Sequence, residues 1–430
     1  MPHRPKFVSP PVTLTWGIVL ASALGLLGLP TARGQKFEAN YDESKVPAYQ
    51  LPELLDASTA AADDFPIAWN ARREQLQQVF SEQMFGTFPT TPYELKFEQI
   101  DSGPSLDGQA LRQQWRVTIS TEHGSLPIDL LVFTPAKAEQ SVPCFLGLNF
   151  NGNHTVASDA EIVVTNSWVR ANEAGGVVDH RATADGRGTA ASRWPVAEIV
   201  AAGMGVATAY YGDIDPDDDD QFQNGVHALF PEHRPTAEHP QRWGSIAAWA
   251  WGLSRLLDCI QAKLPQIDSS RIAVIGHSRL GKTALWAGVT DPRFAAVISN
   301  DSGCGGAALS RRAFGETVGR INEAFPHWFC GNFKQYNLKE AQLPIDQHQL
   351  LALVAPRLLY VASATGDAWA DPHGEFLALH LATEVYHRFP EQLNPKTRQA
   401  VQRVGYHLRD GKHDITSWDW AHYLRFLGQL

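Results

Sequence analysis

The first patterned stretch of the chain is apolar. After Arg4 and Lys6, residues 14–29 (LTWGIVLASALGLLGL) carry no charge, and Ala32-Arg33-Gly34 sets small residues ahead of Gln35. A basic start, a short apolar run and a small-residue cut are the pattern of an export leader. Sixteen residues fall short of the roughly 20 that a bilayer span needs. A leader over 1–34 is therefore expected, with an uncleaved anchor as the alternative, and no later stretch is long and apolar enough to span. Residues 35–65 are polar and proline-punctuated, which predicts an extended arm. The spacing of apolar positions over 65–85 predicts a helix. Three strand-like runs follow at 93–100, 111–120 and 126–134. The second and third alternate polar with apolar residues, as the half-exposed antiparallel start of a sheet would.

The pattern changes at Pro143. Short, continuously apolar runs now alternate with helical periodicity. Strands are predicted over 144–150, 205–211, 271–275, 294–299, 358–362 and 401–407. Helices are predicted over 196–202, 245–263, 280–289, 375–389 and 417–430. This alternation predicts a largely parallel sheet with helices on both faces. No repeat of 20–50 residues and no low-complexity segment interrupts it. One catalytic domain is expected over 35–430.

Composition narrows the function. In 430 residues, 36 Lys and Arg face 46 Asp and Glu, a net charge of −10. The acidic balance argues against a general nucleic-acid partner. Thirteen Trp suit a surface that stacks against rings, although most Trp in a large domain serve the core. Export would permit disulfides among Cys144, Cys259, Cys304 and Cys330. A Cys304–Cys330 bridge is the first expectation, with four free thiols as the alternative. No zinc spacing, HExxH or phosphate-cradling glycine loop occurs, so no metal or organic cofactor is expected.

The chemistry concentrates at Gly276-His277-Ser278-Arg279-Leu280-Gly281-Lys282. A buried strand runs straight into Gly-x-Ser and then into an Ala-rich helix, the context of a nucleophile elbow. Such a turn exposes the Ser hydroxyl and aims the first helical N–H groups at a developing oxyanion. Leu280 stands where G-x-S-x-G has its second glycine, and Gly281 follows one place later. A Ser hydroxyl needs a base. In this fold the order is Ser, acid, His, so the base belongs in the loop after the last strand. His413 in Arg409-Asp410-Gly411-Lys412-His413-Asp414 is preferred. His407 lies inside the strand and reads as a packed or surface residue. Asp301 and Asp367 both follow predicted strands, where ligands meet open α/β sheets. Fold logic alone prefers Asp367.

Taken together, several segments resemble the glucuronoyl esterases (carbohydrate esterase family 15), most closely the bacterial branch. They are Gly276-His-Ser278-Arg279-Leu-Gly281-Lys282, Asn300-Asp301-Ser-Gly-Cys-Gly-Gly306, Ser310-Arg-Arg-Ala-Phe-Gly315-Glu316-Thr, Phe325-Pro-His-Trp-Phe-Cys330, Asp367-Ala-Trp369-Ala-Asp-Pro372 and Gly411-Lys-His413-Asp-Ile-Thr. The resemblance implies an α/β-hydrolase fold, a three-layer sandwich on a mostly parallel sheet. It implies hydrolysis of the ester between glucuronic acid of glucuronoxylan and a lignin alcohol. Ser278 would be the nucleophile, His413 the base and Arg279 the oxyanion contact, with Lys282, Glu316 and Trp369 binding the uronate. The family places its acid after the earlier strand, usually as Glu, or after the later one. Asp301 holds the earlier place with a shorter side chain and is the expected acid, with Asp367 as partial substitute. In fungal members a Cys before the nucleophile bridges to one beside the His. His277 and Lys412 hold those places here, so that bridge cannot form.

The chemistry fits those roles. An esterified uronate carboxyl is neutral, so recognition must come from ring hydroxyls. Lys282 and Glu316 supply a donor and an acceptor, and Trp369 a face for the ring. Arg279 and Lys282 are expected to form a basic cluster for charge developing on cleavage, which Arg311 and Arg312 either join or leave as a solvated surface pair. Asp213-Ile-Asp215-Pro-Asp217-Asp218-Asp219-Asp220 lacks the glycine and glutamate of a calcium loop, so a solvated acidic loop is expected. Asn149-Phe-Asn151-Gly152-Asn153-His154 follows a buried strand, at the place of a second oxyanion loop, with a hairpin-like turn as the alternative. The whole predicts a secreted or periplasmic serine esterase, monomeric and without a membrane span once the leader is removed. Another carbohydrate esterase, such as an acetyl xylan esterase, or a catalytically silent carbohydrate-binding homologue are the rivals.

Overall fold

The computed structural model describes residues 37–394 and 397–430; the leader expected over 1–34 lies outside them. The polar arm is pinned by its backbone: Glu53 C=O accepts from Arg72 and Gln349, and Pro52 C=O from His348. It holds a short helix, α1 (Ala57–Ala60). Asp64 then caps α2 (Phe65–Phe80), its Oδ1 accepting from the Ile67 N–H at 3.2 Å. One wider turn, Ser81–Phe85, completes the helix expected there.

The three alternating runs form the antiparallel meander β1 (Glu94–Ser105), β2 (Ala110–Thr121) and β3 (Gly124–Pro135). Next come β4 (Val142–Asn149) and a two-residue hairpin, β5 (Val177–Val178) and β6 (Arg181–Ala182). They are followed by α3 (Val196–Ala201), β7 (Gly205–Tyr210), α4 (Tyr211–Ile214) and α5 (Ser245–Lys263). The chain continues through β8 (Ile267–His277), α6 (Arg279–Thr290), β9 (Ala296–Asn300), α7 (Val318–Ala324) and α8 (Gln347–Ala352). It closes with β10 (Leu358–Ala364), α9 (Pro372–His387), β11 (Val404–Arg409) and α10 (Ser417–Leu427). Nine strands make one sheet in the order β1-β2-β3-β7-β4-β8-β9-β10-β11. Pairs from β7 to β11 are parallel; those from β1 to β7 are antiparallel.

The apolar runs look continuous because both sheet faces are covered, yet they sort by the period of two. Cys144, Leu146, Ile272, Val274, Val297, Leu359 and Val361 join the core under α5, α6, α8 and α9. Phe145, Ala273, Ile275, Ile298, Tyr360 and Ala362 face α3 and α10, against Ile199, Trp420, Tyr423 and Phe426. This is the three-layer α/β-hydrolase arrangement. No helix among the described residues is long and apolar enough to cross a membrane.

Two expectations change. The expected Cys304–Cys330 bridge does not exist: all four cysteines are free and buried. Cys330 is held against the end of α2 instead, its N–H donating to Met84 C=O at 2.9 Å. The acidic run after β7 is not solvated throughout. Asp213, Asp215 and Asp217 are buried, and only Asp218 and Asp219 are exposed. Asp215 accepts from Ser245 Oγ at 2.6 Å and pairs with His227 Nδ1 at 2.9 Å, so it ties the start of α5 to the loop. Asp213 accepts from Thr165 Oγ1 at 2.6 Å. Burial pushes the thiols up, Cys330 to about 11 and Cys259 to about 12. A water-soluble thiol reagent should therefore label none of the four cysteines in the native protein and all four in guanidinium, whether or not reductant was added. Fewer than four thiols after unfolding would restore a bridge.

Candidate active site

Strand β8 ends at His277, and the chain reverses at Ser278 with φ 58° and ψ −130° before entering α6. A non-glycine residue at positive φ is strained, and it is held here from both sides. The Ser278 N–H donates to Asn300 C=O of β9 at 2.9 Å, and the Gly281 N–H returns to Ser278 C=O at 2.8 Å. The shifted glycine now has a reason. A Cβ at Gly276 would lie 1.9 Å from the Leu280 carbonyl oxygen, and one at Gly281 would lie 3.0 Å from Ser302 Cβ. The turn needs no side chain at 276 and 281, whereas the Leu280 side chain points into the core and is tolerated.

Four parallel strands deliver their following loops to one edge, where open α/β sheets bind ligands. Ser278 follows β8, Asp301 follows β9, Asp367 follows β10 and His413 follows β11. All four line one cleft of about 350 Å³ with Arg279, Lys282, Glu316, Phe325, Trp328 and Trp369. The last two loops are zipped together: Gly366 N–H donates to Gly411 C=O at 2.7 Å, and Thr365 Oγ1 to Asp410 at 2.9 Å. Arg409 braces the base loop from beneath, donating to Lys412 C=O at 2.7 Å and Asp414 C=O at 2.9 Å.

His413 Nδ1 hydrogen-bonds Asp367 Oδ2 at 2.5 Å. The contact sets Asp367, rather than Asp301, against the His413 ring. Asp301 sits at φ 45°, and its short carboxyl accepts from the Asp414 N–H at 3.3 Å, with Arg409 at 3.7 Å. It lies near the pair, since Asp301, Asp367 and His413 keep their polar atoms within 4.8 Å. Burial, then Glu375 and Asp367, push Asp301 up to about 9, so it is a neutral acid at pH 7. The His407 ring is buried between Asp419 (2.8 Å) and the Tyr360 hydroxyl (3.1 Å). His277 donates Nδ1–H to Asn300 Oδ1 at 2.6 Å and packs 4.5 Å from the His413 ring. Burial, then the neighbouring His413, hold it well below the ordinary histidine range.

On the other wall, Lys282 Nζ donates to Ser302 C=O at 2.6 Å and pairs with Glu316 at 3.6 Å. Glu316 is pushed up by burial, and Lys282 opposes the shift. Trp369, 37% exposed, offers its ring at the rim. Arg311 and Arg312 leave the expected basic cluster: both are buried in ion pairs outside the cleft lining, Arg311 with Asp346 (3.1 Å) and Arg312 with Asp371 and Glu43 (2.8 Å each). In the 149–154 turn, Asn149 and Asn153 are spent on each other (2.7 Å), and Asn153 reaches Asp129 C=O at 2.7 Å. Neither lines the cleft.

Two residues escaped sequence reasoning. Glu375, on α9, accepts from the Ser302 and Gly303 N–H groups (2.8 and 2.9 Å) and from Ser363 Oγ (2.6 Å). Burial first, then Asp367, push it up to about 7. Its spacing from Ala378, Leu379 and Ala382 on the inward face of α9 was the available signal. Asp217 accepts from Trp328, His327, Tyr211 and Arg279, and nothing in its acidic run marked it out.

Comparison with known proteins adds the relationship. The family model for fungal glucuronyl esterases matches residues 201–389. Carbohydrate esterase MZ0003, from an unknown prokaryotic organism, is 48% identical over 404 residues, covering 92% of this chain and 93% of the relative. A CE15 esterase called promiscuous, from a marine bacterial metagenome, superposes with a TM-score of 0.83 at 48% identity, over 91% of this chain and 100% of that one. A glucuronoyl esterase from Solibacter usitatus superposes with a TM-score of 0.79 at 41% identity, over 90% and 99%.

A raised carboxyl has a signed consequence. Asp301 keeps in the folded state a proton that the unfolded chain releases above about pH 4. Its contribution to stability is full below that pH and lost as pH rises toward 9. Asp301→Asn removes that titration, so the melting-temperature difference, variant minus wild type, should grow steadily from pH 5 to pH 8. A difference that stays flat with pH would contradict a neutral Asp301.

Proposed function

The chain belongs to the glucuronoyl esterases of carbohydrate esterase family 15, and we propose that it hydrolyses esters between glucuronic acid of glucuronoxylan and lignin alcohols through an acyl-enzyme on Ser278. The observation that carries this reading is the His413–Asp367 contact in a cleft that Ser278 and a buried Lys282–Glu316 pair also line.

In this reading Asp367 holds the His413 ring by Nδ1–H, which leaves Nε2 as the base. Ser278 Oγ attacks the uronoyl carbon as its proton passes to Nε2. The carbonyl oxygen becomes an oxyanion beside the N-terminus of α6 and the Arg279 guanidinium. Collapse breaks the bond to the alcohol oxygen, which leaves with the proton from Nε2. Water then repeats the steps, and the freed uronate departs with Ser278 restored. Lys282 and Glu316 bind ring hydroxyls, and Trp369 covers a ring face. Asp301 stays protonated and supports the base loop at the Asp414 N–H, rather than orienting His413. The leader expected over 1–34 fits an exported enzyme that meets a polymeric cell-wall substrate. The lining comes from one chain, so a monomer suffices.

The test is hydrolysis of a methyl ester of 4-O-methyl-glucuronate beside an acetylated xyloside. Wild type should favour the uronate ester, and Ser278→Ala should abolish turnover. Preference for the acetyl ester would overturn the substrate class and leave the mechanism standing. Binding of xylan without hydrolysis of any uronate ester would make the protein a silent homologue. Asp367→Asn should lower kcat by about 10⁴-fold, as loss of the imidazole's orienting carboxylate does elsewhere. Asp301→Asn should cost less than about tenfold; the opposite ranking would return the role of acid to Asp301.

A further inference from the structure

Arg279 does not hang free in the cleft. One of its Nη atoms donates to Asp217 Oδ2. Its guanidinium lies 4.9 Å from the Trp328 ring centroid, 5.6 Å from that of Phe325 and 5.7 Å from that of Phe150. Asp217 is fully buried and is itself held on every side. Its Oδ1 accepts from Trp328 Nε1 at 2.7 Å and His327 Nε2 at 2.9 Å. Its Oδ2 accepts from the Tyr211 hydroxyl at 3.0 Å, with Arg170 Nη2 at 3.6 Å. Burial alone would raise this carboxyl; His327, Arg279 and Arg170 outweigh it and keep the group ionised far below the ordinary range.

We propose that Asp217 is a positioning residue for catalysis, acting through Arg279: it fixes the guanidinium in one place beside Ser278, so that the developing oxyanion meets a preorganised donor. The proposal rests on the reading of Arg279 as the oxyanion contact. A free arginine samples many rotamers and loses that freedom when it engages a ligand. Here the aromatic rings confine the guanidinium sideways, and the carboxylate fixes its end.

Two effects of Asp217 oppose each other at the oxyanion. Its negative charge lowers the positive potential there, while its hydrogen bonds set the geometry. Two guanidinium groups share the one carboxylate, Arg279 and Arg170, so the cluster stays net positive. Neutralising Asp217 would by charge alone favour the oxyanion, so a loss of rate reads the geometry. An asparagine cannot replace it: its amide N–H₂ must face either Arg279 and Tyr211 or Trp328 and His327. On the first pair it meets the Arg279 donor, and on the second it meets two ring N–H donors.

The test is a double-mutant cycle on a methyl glucuronate ester, with melting temperatures recorded for each variant. Arg279→Gln should lower kcat by about 100-fold, the scale of losing one oxyanion donor. Asp217→Asn should lower kcat by about tenfold or more with KM changed less than about threefold. The double variant should be no slower than Arg279→Gln within about twofold, because the second change acts through a group already removed. A wild-type kcat for Arg279→Gln would sink the oxyanion reading itself. A slow Arg279→Gln beside an unimpaired Asp217→Asn, or losses that multiply in the double variant, would overturn only the role given to Asp217. Should Asp217→Asn not fold, Tyr211→Phe removes a single donor and keeps the carboxylate. It should slow wild type about threefold and have no effect in the Arg279→Gln background. An unchanged kcat in the first case, or a persisting loss in the second, counts against the proposal.

Discussion

Gly366 donates its N–H to the Gly411 carbonyl across 2.7 Å, and the geometry of the cleft depends on that joint. Strands β10 and β11 run parallel in register from Leu359 and Val404 to Ala364 and Arg409, so their following loops leave the sheet side by side. The joint stops those loops from drifting apart, and Asp367 and His413 then meet within hydrogen-bond reach. Arg409 locks the second loop from below through two backbone carbonyls. Preorganisation of this kind costs the folded state strain and buried charge. The positive φ at both Ser278 and Asp301 shows where part of that cost resides.

The buried carboxyl groups under the cleft divide the work by protonation. Asp301 and Glu375 are surrounded by low-dielectric packing and by other acids, and both are raised. Several adjacent carboxylates cannot all be ionised in such a place. Asp367 is the carboxyl whose Oδ2 faces His413 directly. Glu375 accepts two backbone N–H groups from the loop that carries Asp301, and the Ser302 carbonyl of that loop accepts from Lys282. The Asp301 loop and the Lys282 side of the cleft thus share one brace. Asp217 is the contrasting case, an ionised carboxylate sustained by a surround of donors.

The strand ends that carry Ser278, Asp301, Asp367 and His413 are legible from the chain because apolar runs and turn residues are local signals. So is the packed ring of His407, since a position inside a half-buried strand implies one. Which of the two acids meets the His413 ring is not legible. It depends on the φ of residue 301, on the Asp414 amide and on Glu375, which lie far apart in sequence. The acidic run after β7 misleads for a related reason: its charges look like a solvated loop until His227, Ser245, Trp328 and Arg279 arrive from elsewhere to pair with them. Arg311 and Arg312 mislead in the opposite sense, because distant Asp346, Asp371 and Glu43 take their charges away from the cleft.

By itself, the order of residues determined the α/β-hydrolase layering, the Ser278 turn and the set of side chains brought to one edge of the sheet. These follow from short-range periodicity and from backbone sterics, which neighbouring residues dictate. Only the tertiary structure decided which carboxyl pairs with His413, which acids keep their protons, that the cysteines remain thiols and that Arg279 is anchored. Each of those is settled by burial and by partners brought from distant parts of the chain, and both exist only once the layers have packed.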